Sequence, residues 1–243
     1  METDTICCPV VELRQYTLHP GKRDELIDLF EREFVQSQED VGMRIIGTFR
    51  DLDNPDRFVW LRGFTDMASR AAQLAAFYGG PIWKAHREAA NVTMIDADNV
   101  PLLRPATAQS GFDLAGCTRA ALGQTTSTRG LIIATIYQPK GDEQEFADFF
   151  IRNVVPDLRP VGVPVLAAFV TEHQANTFPA LPVREDAKVF VWFTRALDRA
   201  DFEQKSRSKF LAELRARLHT DPEVLFLEPT LRSLLSGISI AGK

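Results

Sequence analysis

The sequence predicts an α+β fold made of two tandem βαββαβ units, and three internal matches support this prediction. Three segments of the first half recur in the second half in the same order. They are 12–31 matching 132–151, 41–49 matching 161–169, and FVW at 58–60 matching FVW at 190–192. Such ordered similarity indicates an internal duplication. The third match is offset by 12 further residues, so the second copy carries an insertion around 173–184.

The first copy contains every element of such a unit. Apolar and polar residues alternate over 10–18, which predicts the first strand. The first helix is predicted from an apolar stripe at helical spacing, formed by Leu26, Leu29, Phe30 and Phe34. Turn-forming residues in DLDNPD join the next two strands. The remaining elements are strands at 44–50, 57–64 and 92–98, and a helix that begins after Thr65 or Asp66, is interrupted by Gly79-Gly80-Pro81 and ends near Ala90.

The second copy repeats this order of elements. Its strands are predicted at 131–137, 165–170, 188–193 and 223–229, and its helices at 142–154 and 199–218. Small and polar residues between the copies are typical of a linker. We therefore expect a first unit at 8–105, a linker at 106–129 and a second unit at 130–238.

Composition argues against nucleic-acid-binding, membrane-spanning and secreted proteins. The 243 residues are 45% hydrophobic with a net charge of −5, which disfavours nucleic acid as a partner. No run approaches the ~20 apolar residues of a membrane span, and the N-terminus lacks the pattern of a signal peptide. The cysteines Cys7, Cys8 and Cys117 form no CxxC motif and cannot all pair. We therefore expect a cytoplasmic protein in which Cys7 and Cys8 are a frayed N-terminal pair without a function, rather than a site for a soft metal.

Both faces of the predicted first sheet carry apolar residues. A βαββαβ unit folds as a ferredoxin-like antiparallel sheet with both helices on one face. In strand 57–64, Phe58 and Trp60 lie on one side and Val59 and Leu61 on the other. The face without helices therefore needs a cover. The second unit supplies it, sheet against sheet, and we expect an αβ barrel that closes within one chain or between two.

Three stretches of the first half carry a family resemblance. They are VVELRQYTLHPGK at 10–22, FVWLRGF at 58–64, and the run W…H…AAN…D.DNV.LLRP from Trp83 to Pro105. These stretches resemble the NIPSNAP family, within the dimeric α+β barrel superfamily. The resemblance implies an αβ barrel that is often oligomeric, so a homo-oligomer is expected. It implies no catalytic residue, because the family has no agreed set.

Polar residues of the first half are predicted to line the interior of this barrel. Glu12, Arg14 and Tyr16 align with Ile132, Ala134 and Ile136, so the second half offers an aliphatic wall. An apolar cavity with a few polar groups is typical of a small-molecule site. The predicted substrate-binding residues are Arg14, Arg62, Glu12, Trp60 and Asp98. The alternative is a buried ion-pair network that fixes the strand register.

His86 is the first candidate for chemistry, because its helical spacing from Ile82 turns it inward and histidine titrates near neutral pH. With Asp96 and Tyr16 it forms the predicted catalytic set. The alternative is a hydrogen-bonded core histidine. Asp96 and Asp98 share one strand face and either bind a hard cation or pair with arginines, of which the second is favoured. No metal or other cofactor is expected, although the superfamily also suggests haem on His86.

These residues predict a cofactor-free enzyme for oxidation, isomerisation or elimination of a small, partly apolar anion. The alternative is a non-catalytic ligand-binding protein or scaffold. The 173–184 insertion, which contains Phe178 and Leu181, is predicted to be a lid or an arm that reaches a neighbouring subunit. Its apolar and proline-rich character favours the arm.

Overall fold

The structure has a closed β-barrel surrounded by helices. This computed structural model describes residues 6–123 and 130–236. The strands are β1 (Ile6–Cys7), β2 (Val10–Leu18), β3 (Arg44–Asp51), β4 (Arg57–Phe64), β5 (Met94–Asn99), β6 (Leu102–Pro105), β7 (Phe112–Asp113), β8 (Leu131–Tyr137), β9 (Ala167–Thr171), β10 (Phe190–Ala196) and β11 (Glu223–Pro229). The helices are α1 (Arg23–Leu29), α2 (Val35–Glu39), α3 (Met67–Gly79), α4 (Pro81–Asn91), α5 (Glu143–Phe149), α6 (Val155–Leu158), α7 (Arg199–Lys205) and α8 (Leu211–Ala216). Two π-helical turns, Phe30–Phe34 and Phe150–Val154, join α1 to α2 and α5 to α6.

Strand pairing closes an eight-stranded antiparallel barrel within one chain. The order is β4-β3-β11-β8-β10-β9-β6-β2, and β2 pairs again with β4. β5 pairs with the other end of β2, beyond β6. Each half contributes four neighbouring strands. The predicted α+β barrel is therefore confirmed, and its closure within one chain decides a question that the sequence left open.

Local signals in the sequence fix most element boundaries. β2, β4, β8 and β11 begin and end at the predicted residues. Asp66 caps α3 as expected, since its side chain accepts a hydrogen bond from the Ser69 N–H at 2.6 Å. The helix predicted over 199–218 is instead two short helices. Between them, Ser208 Oγ accepts a hydrogen bond from the Phe210 N–H (3.1 Å), a local alternative to a helical bond.

Apolar side chains fill the interior of the barrel. Val11 and Leu13 of β2 and Val59 and Leu61 of β4 point inward and are fully buried. They belong to one core with inward-facing residues of the second half, among them Ile132, Ala134, Val191 and Phe193. The expectation that Glu12, Arg14 and Tyr16 line the interior is therefore wrong. Because side chains alternate along a strand, these residues lie on the opposite face of β2, under the helices.

The helices of each half cover the outer face of its own strands. The predicted stripe of Leu26, Leu29, Phe30 and Phe34 packs with Phe58 and Trp60 of β4. A separate core joins α5, α7 and α8 to the strands of the second half. Within the two described ranges, no helix is long and apolar enough to cross a membrane.

Part of the predicted linker packs into the barrel. β7 pairs with β1, and Phe112 belongs to the interior core. Cys7 and Cys8 pack against the same core and are joined by a disulfide, so the expectation of a frayed pair is wrong. Gly63 leaves room for them, because a Cβ at that position would collide with the Sγ of Cys8. Residues 124–129 of the predicted linker and the end of the second unit beyond 236 lie outside the described residues.

Candidate functional site

Glu12 is the centre of a fully buried group of charged side chains. Arg14, Arg62 and Arg70 surround it, and all four residues are 0% exposed. Oε2 of Glu12 accepts hydrogen bonds from Arg14 Nη1 (2.9 Å) and from Arg62 Nε and Nη2 (3.0 and 2.6 Å). Oε1 accepts one from Arg70 Nε (2.7 Å). We call these four residues the arginine cluster.

Two strands and one helix bring the arginine cluster together. Glu12 and Arg14 are two residues apart on β2, so both face the helices. Arg62 lies directly opposite Glu12 in the register of β4. Arg70 comes from the buried side of α3, one turn after Met67. The cluster therefore lies between the sheet and the helix layer of the first half.

The remaining guanidinium nitrogens of Arg14 and Arg62 donate to neutral groups. Arg14 donates to the Tyr16 hydroxyl (Nε, 3.0 Å) and to the Ala97 carbonyl (Nη2, 3.4 Å). Arg62 Nη1 donates to Gln38 Oε1 (2.8 Å). The Trp60 ring lies 4.9 Å from the Arg62 guanidinium and 5.6 Å from that of Arg14. With three guanidinium groups and one carboxylate, the cluster keeps an excess of two positive charges.

Arg70 is the least compensated of the three arginines. Its Nη2 is buried and has no hydrogen-bond partner in the part of the chain that the structure describes. Burial lowers the pKa of Arg70, although Glu12 acts in the opposite direction. Burial would raise the pKa of Glu12, but the charges of Arg62, Arg14 and Arg70 outweigh it and hold that pKa well below its usual range. A further anion would therefore be stabilised most at Arg70.

The insertion of the second half covers the arginine cluster. We call residues 173–184 the covering loop. Arg70 Nη1 donates to Asn176 Oδ1 (2.9 Å) and Thr177 Oγ1 (3.2 Å). Thr177 Oγ1 donates to the Met67 carbonyl (3.1 Å), and the Phe178 ring stacks on Tyr78 at 5.8 Å. The sequence favoured an arm that reaches a neighbouring subunit, but the loop lies on α3 of its own chain.

A cleft of about 720 Å³ opens at the base of the covering loop. Its lining includes Val10, the first turn of α3, Arg104 and Pro105 of β6, and Glu172 and Gln174. A volume between about 300 and 1000 Å³ is typical of small-molecule sites. Met67 lines the cleft, and its carbonyl binds Thr177. Arg70 follows Met67 by one helical turn, and Thr177 contacts both residues. Met67 and Thr177 therefore lie between the cleft and Arg70.

The structure joins five of the predicted site residues. Glu12, Arg14 and Arg62 belong to the arginine cluster, and Tyr16 and Trp60 contact it. Burial raises the pKa of Tyr16, so its hydroxyl keeps its proton at neutral pH. These contacts bring the predicted substrate-binding groups together, although on the helix side of the sheet. Their roles stay predictions.

The other three predicted residues lie apart from the cluster. The His86 side chain on α4 is 32% exposed, with Nε2 3.5 Å from a Glu33 carboxylate oxygen. Asp96 and Asp98 are exposed on β5, where the Asp98 N–H donates to Asp96 Oδ1 (2.8 Å). The inward orientation expected for His86 holds only in part, because its ring lies 6.4 Å from that of buried Phe34 while α4 turns only Ala90 fully into the core. Residues 6–123 and 130–236 contain no group of three or more His, Cys, Asp or Glu that could hold a metal ion.

Sequence reasoning missed Arg70, Gln38, Asn176 and Thr177. A signal for Arg70 was present, since it interrupts the apolar stripe of Met67, Leu74 and Phe77 at helical spacing. A charged residue in such a stripe indicates a buried partner. No comparable signal marks Asn176 and Thr177, because their contact with Arg70 depends on how the covering loop packs.

Residues 11–110 match the NIPSNAP family model. This segment of the first half is similar to the NIPSNAP domain. The match contains the whole arginine cluster but neither the covering loop nor the second half. An uncharacterised NIPSNAP-like protein from Burkholderia xenovorans is 29% identical, over 38% of this chain and 81% of its own, with a TM-score of 0.36. The match of residues 11–110 to the family model confirms the family resemblance seen in the sequence.

Two solved structures are similar to nearly the whole chain that carries the NIPSNAP-like domain. A candidate monooxygenase from Fusobacterium nucleatum has a TM-score of 0.58 at 10% identity, over 93% of this chain and 94% of its own. A candidate monooxygenase from Lactobacillus acidophilus has a TM-score of 0.56 at 12% identity, over 94% and 98%. At these identities the similarity shows the fold alone. Among curated proteins, none matches the chain.

Proposed function

We propose that this protein binds a small, partly apolar organic anion in its NIPSNAP-like half. The site consists of the cleft at the base of the covering loop and the arginine cluster behind it. The observation that carries the proposal is the excess of buried positive charge, with one Arg70 nitrogen that has no partner among the described residues. An uncompensated buried charge costs several kcal/mol. An anion that pairs with Arg70 therefore stabilises the folded protein.

Arg70 is the residue that contacts the anionic group. Its Nη1 is held only by neutral oxygens, those of Asn176 and Thr177. A carboxylate forms shorter and stronger hydrogen bonds with a guanidinium group and binds it through two parallel bonds. The carboxylate of a ligand therefore replaces Asn176 and Thr177 at Arg70, and the covering loop shifts away from α3. The apolar part of the ligand stays in the cleft, against Val10, Met67 and Pro105.

Binding without catalysis is the function that this geometry supports best. The candidates for proton transfer, His86 and Asp96, make no hydrogen bond or ion pair with the arginine cluster among the described residues. Tyr16 donates or accepts hydrogen bonds but keeps its proton, so it does not act as a base at neutral pH. The enzyme alternative has support in the names of the two full-length structural relatives. Oxygen consumption with a bound ligand and no added cofactor would favour it.

Calorimetric titration with benzoate tests the proposal, with benzamide as the neutral molecule of similar shape. We expect benzoate to bind and to raise the melting temperature, and benzamide to do neither. Arg70→Gln removes benzoate binding because it removes the charged contact. Arg50→Gln is the matched control, since Arg50 pairs with Asp24 at the surface of the same half. Equal binding of benzoate and benzamide, or full benzoate binding by Arg70→Gln, would overturn the proposal.

A second variant covers the case in which Arg70→Gln does not fold. Asn176→Ala combined with Thr177→Val removes the two acceptors that compete with the ligand for Arg70. Benzoate binding should tighten by about tenfold, since the ligand no longer displaces two hydrogen bonds. Unchanged or weaker binding would show that the ligand does not reach Arg70.

We also infer that the two halves are duplicated ferredoxin-like units. When β5 and β6 are counted as one interrupted strand, each half has four strands. Their order across the sheet is β3-β4-β2-β6 in the first half and β9-β10-β8-β11 in the second, which is the order second-third-first-fourth in both. Superposition of the two halves in a crystal structure tests this inference, and halves that do not superpose along all four strands would refute it.

Sedimentation of the purified protein tests the predicted homo-oligomer, which a monomeric mass would contradict.

A further inference from the structure

A second cleft, of about 560 Å³, lies in the other half of the protein. It is bounded by the segment between α6 and β9 on one side and by β10 and α7 on the other. Val155, Val163 and Val165 form its aliphatic floor. Arg159, Arg195 and Lys205 lie around it. The cleft therefore combines an apolar surface with three positively charged side chains.

Two of these three cations have no counter-charge. Lys205 forms an ion pair with Asp201, whose Oδ2 also accepts a hydrogen bond from the Leu197 N–H (3.2 Å). The side chains of Arg159 and Arg195 form no hydrogen bond or ion pair within residues 6–123 and 130–236. Both are exposed, so both are free to meet a ligand. A local excess of two positive charges is notable in a chain whose net charge is −5.

We propose that this second cleft binds an amphipathic carboxylate, an aliphatic chain that ends in one carboxylate group. The chain lies against the three valines, and the carboxylate pairs with Arg159 and Arg195. Contact with the aliphatic floor removes water from the neighbourhood of the ion pairs, which strengthens them. A neutral apolar ligand leaves both arginines unpaired, and a small inorganic anion leaves the valines exposed. The amphipathic carboxylate is the class that satisfies both parts of the cleft.

This second site is independent of the anion site proposed above. It is lined by residues of the second half and shares no residue with the arginine cluster or with the covering loop. Either site can therefore be present without the other, and NMR signals from residues of the two halves distinguish binding at one site from binding at the other.

NMR titration of the full chain with octanoate tests the proposal. We expect saturable shifts of the Val163 and Val165 methyl signals with octanoate, and much weaker binding of octanol and acetate. The double variant Arg159→Gln/Arg195→Gln should weaken octanoate binding by about tenfold, because two charge-assisted contacts are lost. Both arginines are exposed, so this variant should fold.

Arg152→Gln is the matched control. Arg152 is an exposed arginine of the same half that pairs with Asp148, and it does not line the cleft. The octanoate-induced shifts at Val163 and Val165 should be unchanged in this variant and also in Arg70→Gln, which affects the other site. Octanol binding as tight as octanoate, an undiminished affinity in the double variant, or no shift at Val163 and Val165 would each overturn the proposal.

Discussion

Replacement of Glu12 by glutamine is the most direct test of how the arginine cluster is held. The substitution keeps the shape of the side chain and removes its charge. It leaves Arg14, Arg62 and Arg70 in a buried layer with no carboxylate among their hydrogen-bond partners. One oxygen also becomes an NH₂ group, so a donor faces a guanidinium donor. We therefore expect a large loss of stability.

The magnitude follows from the contacts of Glu12. Four hydrogen bonds reach its two oxygens. A hydrogen bond to a charged group contributes about 1.5–3 kcal/mol, but such values do not add. Loss of one partner of a buried ion pair costs about 3–5 kcal/mol. Because three cations lose their partner at once, we expect about 5 kcal/mol, which is a large part of the roughly 5–15 kcal/mol that stabilises a domain.

Urea unfolding followed by tryptophan fluorescence measures this loss. Glu25→Gln is the control, because Glu25 is half-exposed and pairs only with Lys22 at 2.5 Å. An exposed pair of this kind contributes less than about 1 kcal/mol. A loss below about 1 kcal/mol in Glu12→Gln, similar to the control, would refute the idea that Glu12 neutralises a buried excess of charge. If Glu12→Gln gives no folded protein while Glu25→Gln does, the expected direction holds.

Four other outcomes follow from the same contacts. Because the pKa of Glu12 is lowered in the folded state, its stabilising contribution is complete above its unfolded pKa of about 4.3 and is lost as pH falls through the lower folded value. The difference in unfolding free energy between the unaltered protein and Glu12→Gln should therefore stay constant from about pH 8 to about pH 5 and shrink only in stronger acid, and a steady decline above pH 5 would contradict this. Phe178→Ala should lower stability by about 1–2 kcal/mol and speed amide hydrogen exchange in α3, because the ring that stacks on Tyr78 is lost; unchanged exchange would show that the loop does not cover α3 in solution. Gly63→Ala should cost about 1–3 kcal/mol in urea unfolding, since its Cβ collides with Cys8, and a neutral result would place Cys8 elsewhere. His86→Ala should leave benzoate binding and the melting temperature nearly unchanged, and loss of binding would restore His86 as a site residue.

Sequence periodicity identified which residues of a strand share a face, but not which face meets the helices. Glu12, Arg14 and Tyr16 alternate with Val11 and Leu13 in β2. Since apolar residues occur on both faces of the first sheet, periodicity allows Glu12, Arg14 and Tyr16 to face either the barrel interior or the helices. The alignment of these residues with aliphatic residues of the second half favours the interior. The position of Arg70 in the stripe of α3 would have given the correct side, because a buried arginine needs a buried carboxylate.

The covering loop shows a different limit. Its existence and length follow from the change of offset between the repeats, and its apolar residues indicated that it packs against something. Its partner depends on contacts between residues that are more than 100 positions apart, such as Arg70 with Asn176 and Thr177. No local pattern encodes such a contact. The sequence therefore predicted a loop that packs on a surface and favoured the wrong surface.

The two halves of the barrel provide an internal comparison for the role of the arginine cluster. Asp66 caps α3 and Asp198 caps α7, so Arg70 and Phe202 are equivalent, each four residues after its cap. Arg62 corresponds to Thr194, so their strand partners Glu12 and Ile133 also correspond, and two residues further along Arg14 corresponds to Thr135; all of these second-half residues are buried.

The second half thus builds the same four-strand and helix arrangement without any charge at these positions. The fold does not require the cluster, and apolar packing of similar volume is often as stable as a buried ion-pair network, or more so. The cluster occurs only in the half that the covering loop packs against, and this supports the proposal that it binds an anion rather than stabilising the fold. The stability of Glu12→Gln measures how strongly Glu12 neutralises the buried arginines, and benzoate binding by Arg70→Gln measures whether the cluster binds an anion.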